Sequence, residues 1–130
     1  MSDRKTDMKD GELISVPVAA STKVEAGHLG AANATGYLAP AADTASFTAL
    51  GRVEETVDNS DGADGALNCL VRRGKAFKFK NSATHAVTQA HVGKNCLVED
   101  SVTVSSDTTN DIVAGKVLGV ESDGVWVLVA

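Results

Sequence analysis

Few side chains in this sequence are equipped for chemistry, and their spacing argues against the sites they suggest. His85, His91 and Cys96 lie close together, as zinc ligands do, but their intervals match no common structural zinc pattern and a fourth ligand is missing. They read as surface histidines and a buried thiol. Cys69 with a histidine would make a nucleophile and its base, yet it sits between Leu67 and Leu70 in a strand-like apolar run, where thiols are buried and inert. Ser21, Ser46 and Ser82 stand in no elbow-like setting, and no glycine-rich loop opens a helix to cradle phosphate. Asp58 to Gly65 (DNSDGADG) has the turn-formers of a calcium loop but no closing glutamate at the required position. It reads as an exposed loop. The residues point to no catalytic, cofactor-binding or metal-binding site and to no enzyme.

The elements around these residues are strands. Ile112 to Val120 and Val125 to Val129 form a hairpin, with Asp123-Gly124 expected to supply the positive φ of a tight turn. Side chains alternate along a strand, so Val125, Val127 and Val129 share one face while Trp126 and Leu128 share the other. Both faces are apolar, which predicts cover on both sides, from a second sheet or another subunit. Such an end is expected not to fray, and Trp126 to be shielded on assembly. Leu13 to Ala19 is the first strand, placed at an edge by Pro17. Ser21 to Pro40 is a series of short extended pieces with a turn at Asn33 to Tyr37. Thr48 to Val57 alternates less cleanly. Ala66 to Lys80 reads as one long strand bent at Gly74, with Arg72, Arg73, Lys75, Lys78 and Lys80 on the wet face of a hairpin and Phe77 and Phe79 on the apolar one. Thr88 to Val92, ended by Gly93, is the one expected helical turn. Cys96 to Glu99 and Val102 to Val104 are short strands, and Ser105 to Asp111 is a polar loop.

Composition sets the class. The 130 residues fit one domain, 13–130, preceded by a charged arm, 1–12, that has too little apolar surface to offset the entropy of ordering. Hydrophobic residues make up 43% but aromatics only 4%, so the core is built from Val, Leu and Ala, and a thin core of this kind leans toward oligomerisation. A net charge of -5 disfavours direct nucleic-acid binding. No apolar run is long enough to span a membrane, and no signal segment is visible at the start. Two cysteines are too few for a disulfide framework, so reduced thiols in a cytoplasmic product are expected.

Several segments carry a family resemblance. Val16-Pro17-Val18, Ala26-Gly27, Asn33, Gly36-Tyr37, Pro40-Ala41, GRVEETVDNSDGADG, LVRRG, Phe77-Lys78-Phe79, VGKNCLVED and AGKVLGVESDGVWV follow in an order that resembles the capsid cement, or head decoration, proteins of tailed bacteriophages. The resemblance covers almost everything from Ile14 to Val129. It implies an all-β domain, a β-clip or β-tulip-like sandwich or a partly open barrel. It also implies a homotrimer on the exterior of the expanded virion head, made in the bacterial host cytoplasm, that ties major capsid protein subunits together without a cofactor. On that reading Asp3, Arg4, Lys5, Met8 and Lys9 belong to a capsid-binding arm. Phe77, Phe79, Trp126, Val127 and Leu128 form core or subunit interface. The alternative is a small-ligand or carbohydrate-binding module on a phage surface, for which Tyr37 and Trp126 are the only stacking candidates.

Overall fold

Pro17 has no N–H to give a second neighbour, and the strand that carries it lies at the edge of its sheet, as expected. The structure, a computed structural model, describes residues 2–130. It is all-β. Its strands are β1 (Leu13–Pro17), β2 (Thr22–Val24), β3 (Leu29–Ala32), β4 (Leu38–Pro40), β5 (Thr48–Val53), β6 (Val57–Asn59), β7 (Asn68–Arg72), β8 (Lys75–Asn81), β9 (Asn95–Val98), β10 (Thr103–Ser105), β11 (Val113–Glu121) and β12 (Gly124–Val129). The expected helical turn is a short 3-10 turn, Gln89–His91, and Gly93 with φ 86° follows it. Five strands form a sheet in the order β1-β7-β5-β3-β4, five close into a barrel in the order β10-β8-β12-β11-β9, and β2 and β6 form a separate ribbon.

The barrel is closed rather than partly open, because β9 pairs with β10 as well as with β11. Its wall rests on two long antiparallel ladders. Val125, Trp126, Val127, Leu128 and Val129 of β12 face Phe79, Lys78, Phe77, Ala76 and Lys75 of β8, and β11 pairs on the other side. Alternation then sends Phe77, Phe79, Val125, Val127 and Val129 inward, where they meet Val98, Val104, Ala114 and Val117. Only small residues fit where backbones approach. A Cβ at Gly115 would stand 2.2 Å from the Leu128 carbonyl oxygen. The register of β11 shifts between Val117 and Gly119, so Leu118 is the extra residue of a bulge.

The sheet has its own core. Val16, Val18, Val24, Leu38, Val53, Cys69 and Val71 pack together, with Val24 contributed by the ribbon. The opposite face of β3 supplies Leu29 and Ala31 to the barrel core. The seam between sheet and barrel also carries charge. Arg52 lies 4.7 Å from the Phe77 ring centroid and bonds Glu54 at 2.7 Å, while Arg72 reaches the same Glu54 oxygen at 2.8 Å. Backbone adds a second tie at Leu29, whose N–H donates to the Ser101 carbonyl at 2.7 Å.

Four expectations need correction. The run Ala66 to Lys80 is not one bent strand or a hairpin. It breaks at Gly74, φ 75°, where the chain leaves the sheet as β7 and enters the barrel as β8, so the basic residues divide between two bodies. Positive φ is absent from Ser122, Asp123 and Gly124. Gly124 is confined by space, since a Cβ there would stand 2.8 Å from the Phe79 carbonyl oxygen. Within Asp58 to Gly65, Asn59 is buried. Its amide donates to the carbonyls of Ala19 at 2.9 Å and Ala63 at 3.0 Å, fixing the loop from inside. Finally, of the two covers expected over Trp126 and Leu128, a second sheet or another subunit, the first is not supplied by this chain, for Trp126 is 37% exposed.

Two outcomes follow from packing and charge. Gly115→Ala should push β11 from β12 and destabilise by about 1–3 kcal/mol, measured by chemical denaturation. The Glu54 carboxyl is held below the usual range, first by its hydrogen bond from Arg52 and then by Arg72. A depressed carboxylate contributes stability that is complete above the ordinary glutamate pKa of about 4.3 and fades as pH falls through its lower folded value. Melting temperature against pH should therefore drop on the acid side, and Glu54→Gln should lower the neutral plateau while flattening that drop.

Candidate interaction surface

Inward alternation of the valines on β12 forces its even-numbered side chains outward, and these define the open wall of the barrel. Trp126 stands at its centre, opposite Lys78 on β8 and Gly119 on β11. One step along, half-buried Leu128 lies between Ala76 and Lys116. Leu118, displaced onto the bulge, is 48% exposed. Lys80 extends the β8 row. The result is an apolar centre of Trp126, Leu128 and Leu118 bordered by lysines.

Trp126 is fixed in place. Its indole N–H donates to Glu121 Oε1 at 2.7 Å, and Lys78 Nζ lies 5.8 Å from its ring centroid. Lys78 in turn bonds Asp123 Oδ2 at 2.8 Å and approaches Glu121 Oε2 at 3.9 Å. The hydrogen bond from Lys78 holds the Asp123 carboxyl below its usual range, and the same bond raises the Lys78 ammonium. Lys78 and Asp123 therefore both keep their charge at neutral pH. A large side chain so held loses little conformational freedom when something packs on it.

The second surface begins at the arm. Asp3, Arg4, Lys5, Met8 and Lys9 are all exposed, Met8 at 96%, and residues 2–10 form no strand or helix. The chain meets the body at Gly11, whose carbonyl accepts from Arg73 Nη1 at 3.5 Å, and at Glu12, whose carbonyl accepts from the Arg73 backbone N–H at 2.7 Å and whose carboxylate lies 3.1 Å from Lys75 Nζ. It then runs straight into β1, whose other edge has no strand partner along Leu13 to Pro17, until Val18 bridges Leu38 of β4 just beyond it. Of the five expected core or interface residues, Phe77, Phe79 and Val127 are buried in the barrel, while Trp126 and Leu128 lie on its outside. Sequence reasoning placed Leu118, Lys116 and Glu121 in no surface. The hairpin pairing that brings them beside Trp126 was readable, but the bulge that takes Leu118 out of register with Trp126 has no signature in the residues.

The proposed chemistry groups stay apart. His85 Nδ1 approaches Asp107 at 3.7 Å, His91 Nδ1 accepts from the Thr88 N–H at 2.9 Å, and Cys96 Sγ faces the Gly115 carbonyl inside the barrel. Tyr37 packs near Gly65, away from Trp126. Among the described residues there is no pocket and no group of three or more His, Cys, Asp or Glu able to hold a metal.

Burial pushes the Cys96 thiol up to about 11 and raises Cys69 as well. Both stay protonated near neutrality. Neither thiol should react with a disulfide reagent in the native protein at pH 8, and both should react on unfolding, as absorbance of the released thiolate reports. No family model, curated protein or solved structure matches the chain.

Proposed function

We propose that this chain is a phage capsid decoration protein. It binds the outside of the expanded head as a trimer and stabilises contacts between major capsid protein subunits. The observation that carries the reading is the exposed arm, residues 2–10, continuous with an edge strand whose outer side has no strand partner along Leu13 to Pro17. Edge strands invite pairing with another chain, and an extended arm of mixed charge suits ordering on a partner. The motifs that resemble the cement family support the same reading, as does a surface offering contact rather than a cavity. Many weak contacts become firm attachment when linked copies engage a lattice together. The decorated surface is the virion exterior, and neither nucleic acid nor membrane takes part.

Co-sedimentation with expanded capsid shells tests this. The intact protein should pellet with the shells to saturation, and a variant lacking residues 1–12 should keep its fold by circular dichroism but lose most of its occupancy. Undiminished binding by the truncated protein would reject the role of the arm; no binding by the intact one would reject the function.

A further inference from the structure

The open edge of β1 presents its backbone groups in a fixed pattern. The Glu12 carbonyl accepts from the Arg73 backbone N–H and the Val18 N–H donates to the Leu67 carbonyl, so alternation turns Glu12, Ile14, Val16 and Val18 toward β7. Leu13 and Ser15 therefore turn both N–H and C=O to the open side, and Pro17 its C=O alone. On that side the Ala19 N–H already donates to the Leu38 carbonyl at 2.9 Å, which ends the free stretch. Leu13 is exposed above this edge, and so is Met8, the one large apolar residue among residues 2–10. Between the two a turn is already made, for the Glu12 N–H donates to Asp10 Oδ1 at 3.0 Å, an Asx turn over Asp10-Gly11. From this we infer that the arm is a strap poised to close on its own β1, residues 4–8 running antiparallel to Leu13–Pro17 with Met8 opposite Leu13, Thr6 opposite Ser15 and Arg4 opposite Pro17. In this structure the strap is open, residues 2–10 forming no strand.

The edge itself sets the register. Hydrogen-bonded pairs must fall on Leu13 and Ser15, and a connection of four residues, 9–12, is a common hairpin length that brings Met8 to Leu13. A two-residue connection at Asp10-Gly11 would need the Glu12 carbonyl to face Lys9, and that carbonyl is committed to Arg73. Directly opposite residues share a face, so Met8 and Leu13 cover one another and the Thr6 and Ser15 hydroxyls meet. The Arg4 N–H gives the Pro17 carbonyl its bond, and proline asks for none in return. Lys5 and Asp7 fall opposite Val16 and Ile14 on the other face, where charge on the new edge strand discourages any further strand from adding. A tether of four residues holds the arm beside its own edge at an effective concentration on the order of millimolar, which the arm of a second copy lacks. Closure protects an edge otherwise open to indiscriminate pairing. The device belongs to the free protein and does not rest on the decoration reading.

The test is exchange of backbone amides with solvent, followed by NMR on the full chain without shells. The Leu13 and Ser15 amides should exchange about tenfold more slowly than in a variant lacking residues 1–9, as amides do on gaining a partner that opens only locally. Along the arm the protection should alternate, slow at Arg4, Thr6 and Met8 and fast at Lys5 and Asp7, whose N–H groups point away from β1. Thr6→Pro removes a donor from the strap and should abolish the protection of Leu13 and Ser15, whereas Lys5→Ala should keep it. The amides of β8 and β12 should be unchanged in every variant, which shows that the body folds. Uniformly fast exchange over residues 4–8, with Leu13 and Ser15 indifferent to truncation, would overturn the inference. So would protection that grows with protein concentration alongside a rise in mass by light scattering, since the edge would then hold the arm of another copy. Neither result depends on binding to shells, so failure of the strap and failure of the decoration reading are told apart.

Discussion

A barrel of five strands is narrow, and that narrowness governs what each side chain in the wall can be. Barrel width grows with strand number, and even about eight strands leave only enough room for side chains to fill the middle. With five, the interior takes valine, alanine and a few larger groups where the taper allows them, Phe77 and Phe79 among them. An indole does not fit beside those rings. Trp126 is therefore outside because the register of β12 is set by Val125, Val127 and Val129, and a slip of one residue would drive Trp126 and Leu128 into the space that the valines fill. The open wall follows from the packing of the closed core.

The same constraint explains why the barrel does not stand alone. Small side chains bury little area each, at roughly 25 cal/mol per Å² of apolar surface, so a thin core gains from sharing a boundary. Leu29 and Ala31 of the sheet enter the barrel cluster, and Phe47 and Ala49 pack against it. Arg52 completes the seam by lying over Phe77 while Glu54 holds it and Arg72 together. A half-exposed ion pair of this kind is worth little by itself. Here it also positions a guanidinium over the Phe77 ring of the barrel core, so its role is geometric as well as electrostatic.

Much of the fold was legible because period-two alternation is a strong signal when the chain is rich in valine. The terminal hairpin, the edge position of Pro17 and the turn ended by Gly93 were all readable from local residues. What was not readable lies in long-range geometry. Nothing near Gly74 tells whether the chain folds back on itself or passes to a second body, since a left-handed glycine serves both. Asn59 looks like one more loop residue until Ala19, forty positions earlier, supplies a carbonyl for its amide. Gly124 resembles a turn glycine, and it is glycine because β8 approaches it closely. The candidate surfaces divide in the same way. The arm was visible as a run of charge, whereas the wall needed three strands in register, with a bulge, before Leu118, Trp126 and Lys116 became neighbours.

The distribution of charge over those strands links fold to association. On β8 the residues pointing outward include Lys78 and Lys80, and on β11 Lys116 does the same, while the strands between and beside them present Trp126, Leu128 and Leu118. Lysine on a sheet face keeps a monomer soluble while its long stem still covers apolar neighbours. The alternation that fills the narrow interior with valine thereby leaves one tryptophan and two leucines among lysines on the outer face, so the packing of the core decides the character of the surface.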